Sequence, residues 1–588
     1  MMRKSLILLL YIFIVHNSFS QSEKKIEWWN PVNSVVPVIS GQAWPNEVKS
    51  VYHRFPERAE KSIREKVWNL SKQSAGLSIR FWSNADSILV KYQLKEAIDM
   101  VHMPATGVSG LDLYSKTYDG EWLRSWGSYL IETKSNYSFR IDDDSESYKK
   151  YGREYQLFLP LYNEVEVLEI GVDSKYSFEV LPIRKEKPIV AYGTSICQGA
   201  CASRPGMAWT NILERNLERP IINLGFSGNG KLETEVIGLM TEIDSKLYIL
   251  DCLPNLNPNT DDTYSLTIDA VKKIRLKRPN VPIILTTHIG YADELTRKKS
   301  AEEVIKLNKE LERAHNDLES EGIENIFLLK KQDLAFGFDM YVDHIHPNDY
   351  GMIQYAMVYE ELIREVLKES IGDLSTTTPK TQSRDIDVYK WEERHQEVLE
   401  LNKVDEPKIC LFGDSIINFW GGEPVSSIAR GQDSWDGILK PLGVRNFGFG
   451  WDRIENVLWR VYHDELDGFE AEQIILMIGT NNINSNSDTE IIIGLETLIR
   501  AIKIRQPKSK ILMIGILPRT GKEKLIKELN LKIAQLAVLE AVDFRKIDDQ
   551  LLLMNGIINE SLFTDGLHPN REGYMIMGKQ LERIIKDK

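Results

Sequence analysis

The sequence predicts an α/β protein in which an antiparallel β domain precedes two units built from parallel strands and helices. Three observations lead to this prediction. Short segments of alternating polarity recur up to residue 185, and from Lys187 apolar strand-like runs alternate with helical stretches. After a polar interruption near residue 375 the same alternation begins again. Strands that alternate with helices are typical of parallel sheets with crossover helices.

The first part of the chain, residues 25–185, has the pattern of a β domain. Its short alternating segments are separated by turn residues and lie at 77–82, 88–92, 137–141, 155–159 and 165–170. Several short strands at such spacing favour an antiparallel β-sandwich, here expected to be jelly-roll-like. The segment contains no nucleophile and base pair of its own.

The two α/β units follow this β domain. In the first module, residues 186–370, the strand-like runs lie at 188–192, 221–224, 247–250, 282–287 and 325–329. In the second module, residues 387–588, they lie at 408–412, 445–447, 474–478, 510–516 and 543–547. Between the modules, the polar stretch 375–384 lacks periodicity, so residues 371–386 are predicted to be a linker.

Composition excludes some partners. The 588 residues suffice for three or four domains, and the net charge is −13, from 86 acidic and 73 basic residues. This charge disfavours nucleic acid or an anionic membrane surface as the main partner. No glycine-rich phosphate loop and no metal-ligand spacing stands out, so we expect neither a cofactor nor a metal. The oligomeric state stays open.

The N-terminus predicts export. Arg3 and Lys4 precede an apolar run at residues 6–15, and small polar residues follow it. This pattern is typical of a secretory signal, assigned to residues 1–20, although an N-terminal membrane anchor is the alternative. No cysteine follows the run as a lipid attachment site, and no other stretch approaches about 18 apolar residues. We therefore expect a periplasmic or secreted protein without membrane insertion after signal cleavage.

The four cysteines are too few for a disulfide scaffold. Cys201 and Cys252 lie in the same module and could pair in an oxidising compartment, but buried free thiols are an equal alternative.

An internal repeat relates the two modules. Gly193-Thr-Ser195 directly follows the first strand of one module, and Gly413-Asp-Ser415 follows the first strand of the other. Near the end of each module stands an Asp-x-x-His-Pro motif, Asp343 to Pro347 and Asp565 to Pro569. The serine-to-histidine spacings are 151 and 153 residues. Each motif alone is weak, but their repeated order and spacing indicate one kind of site, present twice.

These residue types suit acyl transfer. A serine hydroxyl becomes a good nucleophile when a histidine takes its proton, and a carboxylate usually holds that histidine. The neighbouring His344 is set aside, because Gly566 occupies its place in the second module. The predicted triads are Ser195, His346 and Asp343 in the first module, and Ser415, His568 and Asp565 in the second.

The tetrahedral intermediate also needs hydrogen-bond donors for its oxyanion. The N–H of each nucleophile at its helix N-terminus is one predicted donor. The others are a loop N–H after the second strand and an asparagine amide after the third. These are Gly228 and Asn255 in the first module, and Gly450, or its neighbour Trp451, and Asn481 in the second.

Through these serine, glycine, asparagine and histidine positions, the chain resembles the SGNH (GDSL-like) hydrolases over residues of about 187–370 and again over 385–588. The resemblance implies two flavodoxin-like, three-layer domains and a serine esterase activity. The second module is similar to the platelet-activating-factor acetylhydrolase branch through its 446–450 and 457–460 segments. Residues 28–185 resemble a β-sandwich that precedes some esterase modules, a likeness carried by residues 110–114 together with 204–207.

Two departures from the family pattern stand out. The second module has Gly450-Trp451-Asp452 where the family usually has Ser-Gly-Asp. The first module has Cys252-Leu-Pro-Asn255 in place of Gly-x-Asn-Asp, so Asn255 is the less certain of the two asparagine donors.

The expected function is an exported carbohydrate O-acetylesterase that acts on acetylated oligo- or polysaccharides or acetylated sugars. Export, the attached β domain and the absence of a hydrophobic lid segment favour carbohydrate. Two alternatives stay open: a lipid or lysophospholipid esterase, which an apolar pocket around Trp420 or Trp451 would favour, and a glycan-binding protein with one inactive module.

Overall fold

The computed structural model describes residues 25–587. The signal sequence assigned to residues 1–20 lies outside the described residues. Among residues 25–587, none of the helices combines the length and the apolar character that a membrane span needs. All four cysteines are buried free thiols.

The β domain consists of two antiparallel sheets. Its strands are β1 (Ile26–Trp29), β2 (Ile39–Ser40), β3 (Ser78–Ser83), β4 (Ser87–Leu94), β5 (Asp112–Lys116), β6 (Trp122–Ser125), β7 (Gly127–Leu130), β8 (Lys134–Arg140), β9 (Arg153–Phe158), β10 (Val165–Asp173) and β11 (Phe178–Val180). Its short helices are α1 (Glu65–Ser71), α2 (Ala105–Val108) and α3 (Glu146–Tyr151). The strand orders are β1-β10-β4-β8-β7 and β11-β3-β9-β5-β6, with β2 beside β3.

The two sheets share one hydrophobic core. Val90 and Phe139 of the first sheet lie in the same buried cluster as Phe81, Leu113 and Leu157 of the second. Alternate residues of each strand point into this core, which explains the alternating polarity of the sequence. The jelly-roll-like topology stays a prediction.

The first module has a five-stranded parallel sheet in the order β13-β12-β14-β15-β16. The strands are β12 (Ile189–Gly193), β13 (Ile221–Gly225), β14 (Leu247–Asp251), β15 (Ile283–Thr286) and β16 (Ile326–Leu329). The helices are α4 (Ser195–Gln198), α5 (Trp209–Leu217), α6 (Thr234–Met240), α7 (Thr263–Lys277), α8 (Lys298–Ser320), α9 (Lys331–Leu334) and α10 (Asp349–Leu367).

The second module repeats this order as β18-β17-β19-β20-β21. Its strands are β17 (Ile409–Gly413), β18 (Val444–Gly448), β19 (Gln473–Met477), β20 (Lys510–Ile514) and β21 (Asp543–Arg545). Its helices are α11 (Trp391–Val404), α12 (Ser415–Asn418), α13 (Gln432–Ser434), α14 (Ile454–Tyr462), α15 (Asp488–Arg505), α16 (Glu523–Leu539) and α17 (Arg571–Lys586).

Helices cover both faces of each sheet. In β12, Ala191 packs with α5 and α10 in one cluster, whereas Tyr192 packs with α6, α7 and α8 in another. Burial on both faces explains why these strands are apolar along their whole length rather than alternating. The predicted fold class, α/β with two three-layer modules, is confirmed.

The linker is polar in sequence, but several of its side chains are buried. Thr376 is fully buried, and Gln382 is 4% exposed. The Thr376 hydroxyl donates to the carbonyl of Glu490 on α15 at 2.8 Å. Parts of the segment 371–386 therefore pack against the second module instead of passing through solvent.

Candidate active site

The first candidate nucleophile lies at a tight strand-to-helix turn. Strand β12 ends at Gly193, and the Thr194 side chain caps α4 by accepting from the Ile196 N–H at 3.2 Å. A Cβ at Gly193 would lie 2.6 Å from the Cys197 Cβ and 2.8 Å from the Asp251 carbonyl oxygen, so the turn requires glycine. Ser195 is thereby placed at the carboxyl end of a central strand, where ligands of open α/β sheets bind.

The structure brings the three residues of the first predicted triad together. Ser195 Oγ lies 2.9 Å from His346 Nε2, and His346 Nδ1 lies 2.7 Å from Asp343 Oδ2. The other oxygen of Asp343 accepts the backbone N–H groups of Ile345 and His346 at 2.9 and 2.8 Å. The carboxylate is thus held by its own loop and in turn fixes the imidazole.

The second module repeats this arrangement. Asp414 caps α12 by accepting from the Ile416 N–H at 2.9 Å, and Ser415 follows it. Ser415 Oγ lies 2.9 Å from His568 Nε2, and His568 Nδ1 lies 2.8 Å from Asp565 Oδ2. Burial raises the pKa of Asp414 to about 7.

Hydrogen bonding keeps both orienting carboxylates ionised. Burial alone would raise the pKa of Asp343, but the bonds from the His346 ring and from two backbone N–H groups lower it to about 2. The pKa of Asp565 is lowered in the same way against the effect of its burial. An ionised carboxylate can stabilise the imidazolium that forms when histidine accepts the serine proton.

A turn after the second strand carries the candidate loop donor in each module. The Asn229 N–H donates to the Phe226 carbonyl at 2.8 Å, and the Asp452 N–H donates to the Phe449 carbonyl at 3.2 Å. The third residue of each turn has a left-handed backbone, with φ +66° at Gly228 and +60° at Trp451. The structure therefore places Trp451, rather than Gly450, at the position of Gly228.

The reason for this difference is the turn register. Gly225 and Gly448 end the equivalent strands, β13 and β18, and the left-handed residue comes three positions later in each case. Trp451, which has this left-handed backbone, is 50% exposed. Within residues 25–587, no protein acceptor bonds the N–H of Gly228 or of Trp451, so both remain available to a ligand.

The two predicted asparagine donors lie against these same turns. Asn481 Nδ2 donates one hydrogen bond to the Asp452 carbonyl at 2.9 Å, which leaves its second amide hydrogen. The orientation of Asn255 that satisfies its surroundings places Oδ1 2.9 Å from the Asn229 N–H and 3.0 Å from the Gly230 N–H. In that orientation its NH₂ group faces away from these two donors.

One loop position distinguishes the two sites. The Ala292 N–H donates to the His344 carbonyl at 2.9 Å, and the Thr520 N–H donates to the Gly566 carbonyl at the same distance. The residue before each donor is therefore equivalent: Tyr291 in the first module, Arg519 in the second. The Tyr291 ring stacks on the His344 ring, and His344 makes no bond to Ser195.

A second cation lies near the His568 site. Arg430 Nη1 bonds Thr564 Oγ1 at 2.6 Å and lies 3.8 Å from Asp565 Oδ2. Within residues 25–587, the Arg519 side chain has no hydrogen bond or ion pair. Burial lowers the pKa of His568 most, and the charges of Arg430 and Arg519 lower it further, against the opposing effect of Asp565.

A group of possible metal ligands adjoins the first triad. Ligand atoms of His102, Cys201, Asp343 and His346 lie within 4.8 Å of one another, and the His102 and His346 rings stack at 5.4 Å. An ion held there would compete with the Asp343–His346 bond, so this group does not fit a metal that assists the triad. His102 comes from the β domain and was missed in the sequence, because no local motif links it to the module.

Comparisons with known proteins agree with the geometry. Residues 186–364 and 411–576 each match the profile described as the GDSL-like lipase/acylhydrolase family. Residues 26–178 match the profile of the N-terminus of SGNH-hydrolase-type esterases.

Individual relatives cover different shares of the chain. Platelet-activating factor acetylhydrolase IB subunit alpha2 of Rattus norvegicus is 30% identical over 201 residues, which is 33% of this chain and 83% of the relative. The human protein of that name is 29% identical over the same length and shares of each chain. The crystal structure of a putative GDSL-like lipase from Bacteroides ovatus ATCC 8483 is 31% identical, with a TM-score of 0.53. The match covers 58% of this chain and 98% of that one.

Proposed function

Because the chain belongs to the GDSL-like lipase/acylhydrolase family and carries two modules of it, we propose that it is an exported carbohydrate O-acetylesterase with two active serine sites. The observation that carries this proposal is the continuous Ser–His–Asp hydrogen-bond chain in both modules. Conversion of either module into a mere binding domain would not require all three side chains to keep this geometry.

The proposed reaction follows from the positions of the side chains. His346 or His568 takes the hydroxyl proton of its serine, whose oxygen then attacks the ester carbonyl. The N–H of Gly228 or Trp451, the nucleophile's own N–H and an asparagine amide receive the oxyanion. When the tetrahedral intermediate collapses, the bond between the carbonyl carbon and the sugar oxygen breaks, and the imidazolium gives its proton to that oxygen, so that the sugar leaves as an alcohol. The histidine then takes a proton from water, which attacks the acyl-enzyme, and returns that proton to the serine as acetate leaves.

Acetyl is the acyl group that the relatives favour, since the curated matches are named acetylhydrolases. Carbohydrate is favoured by polar and aromatic side chains around the triads: the His102 ring stacks on His346, the Tyr291 ring stacks on His344, and the charge of Arg519 acts on His568. The exposed indole of Trp451 adds a flat ring beside the second oxyanion site. Aromatic rings and hydrogen-bonding groups suit a sugar better than an alkyl chain does.

A lipid esterase receives less support. Trp420, which could have lined an apolar pocket, is fully buried. Its indole N–H donates to Ser434 Oγ at 3.2 Å, and its ring packs against Trp435 and Tyr574. Trp420 therefore belongs to the core of the second module and offers no surface to an acyl chain.

The test measures acetate release from acetylated oligosaccharides by the full-length protein and by Ser195→Ala, Ser415→Ala and the double variant. Each single variant should retain the activity of the other module, and the double variant should lose at least about 10³-fold. A double variant as active as the unchanged protein would refute the esterase function.

Two controls sharpen this experiment. His346→Ala in the Ser415→Ala background should abolish activity, whereas His344→Ala, in the same loop, should leave most of it. A long-chain acyl ester tested in parallel should be hydrolysed more slowly than the acetyl esters. Faster cleavage of the long-chain ester would favour the lipid esterase instead.

A further inference from the structure

We propose that the chain between the modules forms part of the second oxyanion site, in which Gln382 and Tyr389 are positioning residues for the Trp451 N–H. This inference rests on the proposed function and identifies residues outside the triads and the predicted oxyanion donors. The name anchor segment is used below for residues 382–389.

The first step concerns one peptide unit. The Gly450 carbonyl and the Trp451 N–H belong to the same planar peptide and point in opposite directions. Gln382 Nε2 donates to the Gly450 oxygen at 2.9 Å, and the Tyr389 hydroxyl donates to it at 3.0 Å. Two donors behind the peptide thus fix the direction of the N–H in front of it.

Hydrogen bonds to the carbonyl also polarise the peptide, which strengthens its N–H as a donor. The effect is large enough to matter here because preorganised donors account for much of the stabilisation of an oxyanion.

In the first module, a residue of the turn itself orients the equivalent peptide. There Asn229 Nδ2 donates to the Ser227 carbonyl at 2.8 Å, which fixes the peptide that carries the Gly228 N–H. In the second module Asp452 stands at the place of Asn229, and a carboxylate cannot donate. Asp452 Oδ1 instead accepts from Gln382 Nε2 at 3.1 Å and from the Trp391 indole at 2.7 Å.

The anchor segment is itself rigidly placed. Gln382 is 4% exposed, and its Oε1 accepts the Arg384 N–H at 2.6 Å. A Cβ on Gly450 would lie 2.0 Å from the Asp385 carboxylate, so close contact with the segment explains why glycine stands at this position. Gly450 therefore leaves room for the anchor segment, and it is not the residue that donates to the oxyanion.

The β domain supports the anchor from the other side. The Ser383 N–H donates to the Tyr118 carbonyl at 2.9 Å. Asp119 of the same β-turn lies 3.2 Å from Arg384 and 3.4 Å from Arg453, which precedes α14 of the second module. The β domain thus contributes to the geometry of the second site as well as to that of the first.

The test uses the full chain in the Ser195→Ala background, where only Ser415 acts. Gln382→Met and Tyr389→Phe remove the donors but retain the side-chain bulk. We expect kcat for p-nitrophenyl acetate to fall about tenfold in each variant and about 10²-fold in the double variant, with KM within about twofold. Affinity for a boronic acid, which mimics the tetrahedral adduct, should fall by the same factors.

Matched variants distinguish a loss of kcat caused by a misplaced Trp451 N–H from one caused by a general disturbance of the fold. Tyr264→Phe removes a hydroxyl that donates to Asp317 Oδ2 at 2.8 Å within the first module, and should leave the kcat of the second module unchanged. In the Ser415→Ala background, Gln382→Met should leave the first module unaffected, whereas Asn229→Asp should lower its kcat about tenfold.

The inference is overturned if the folded double variant keeps both its kcat and its affinity for the boronic acid, or if the loss lies entirely in KM. Boronic acid binding reports on the oxyanion site whatever the natural substrate is. Failure to release acetate from sugars would therefore count against the proposed function alone.

Discussion

At the residue scale, the two catalytic triads have nearly the same hydrogen-bond distances, and they differ in the residues around them. Arg519 in the second module stands where Tyr291 stands in the first, one residue before an equivalent backbone hydrogen bond. Arg519 has no acidic partner within residues 25–587. Its charge is therefore free to act on His568 and on a substrate, which supports different ester preferences for the two sites.

Replacing Arg519 should change both the pH profile and the substrate preference of the second site. Burial and the arginine charges lower the pKa of His568, and histidine must be neutral to accept the serine proton. In the Ser195→Ala background, Arg519→Tyr raises this pKa, so the acid limb of kcat/KM moves to higher pH. For an uncharged ester, we expect kcat/KM to fall about twofold on the acid limb of the profile and to stay unchanged on its alkaline plateau, where the histidine is neutral in both proteins.

The same variant should lose about tenfold in kcat/KM for acetylated uronic acids, whose carboxylate can pair with arginine, and less for neutral sugars. The reciprocal control is Tyr291→Arg in the Ser415→Ala background. This variant should raise kcat/KM for acetylated uronic acids at the first site. Equal losses on acidic and neutral sugars would contradict this assignment.

At the element scale, the strands and catalytic loops could be predicted because their signals are local. A parallel strand buried on both faces is apolar throughout, and Gly193-Thr-Ser195 and Asp343 to Pro347 are short contiguous motifs. The register of the oxyanion turn is harder to predict from the sequence, since the N–H of either Gly450 or Trp451 could be the loop donor. Only the position of the left-handed residue, three after the strand end, distinguishes them.

The linker shows where such local reasoning ends. Residues 371–386 are polar and lack periodicity, which is typical of solvated connections. In the structure their polar groups are satisfied by distant partners, such as the Glu490 carbonyl for Thr376. Burial that depends on long-range hydrogen bonds leaves no periodic pattern, so neither the packing of the linker nor its contacts with the second oxyanion turn could be predicted.

The packing of the linker on α15 can be tested at Gly494. A Cβ there would lie 2.6 Å from the Thr376 Cβ and 3.0 Å from its carbonyl oxygen. Alanine is the better helix former by about 1 kcal/mol, yet we expect Gly494→Ala to lower the free energy of unfolding by about 1–3 kcal/mol because of this overlap. Urea denaturation measures the change.

The matched control is Gly238→Ala in α6 of the first module. Its Cβ would meet only the flexible end of Lys273, at 3.4 Å. This variant should gain up to about 1 kcal/mol from helix propensity. Stabilisation of both variants would mean that the linker does not press on α15.

At the scale of the whole molecule, charged side chains join the β domain to the second module and the two modules to each other. Arg80 on β3 lies 2.9 Å from Glu154 on β9 and also bonds Glu392 at the start of α11. Arg184, which precedes the first module, lies 3.0 Å from Glu392 as well. Elsewhere, Lys246 of the first module lies 2.6 Å from Asp464 of the second.

The order of the domains could be predicted from the sequence, but their packing could not. Arg80, Glu154 and Glu392 are ordinary surface residue types, and nothing in their spacing marks them as partners. They come together only when the β domain meets the second module. The same holds for His102, which reaches the first active site from the β domain.

The position of Glu392 between two arginines leads to a prediction about stability. Burial would raise the pKa of Glu392, but the charges of Arg184 and Arg80 lower it well below its usual range. Its contribution to stability is therefore present above the pKa of an unfolded glutamate, about 4.3, and is lost as the pH falls. At pH 7, Glu392→Gln should lower the free energy of unfolding by about 2–3 kcal/mol, since it leaves buried arginine charge partly unpaired.

Calorimetry over a range of pH can test this prediction. The difference in the free energy of unfolding between Glu392→Gln and the unchanged chain should shrink below about pH 4, where protonation removes the stabilisation that the Glu392 carboxylate provides. Glu393→Gln is the control, because Glu393 is exposed and, in the part of the chain that the structure describes, pairs only with Lys390, at 3.3 Å. Its loss should therefore cost no more than about 0.5 kcal/mol. If the two variants were equally stable at pH 7, the ion pairs at Glu392 would not hold the β domain to the second module.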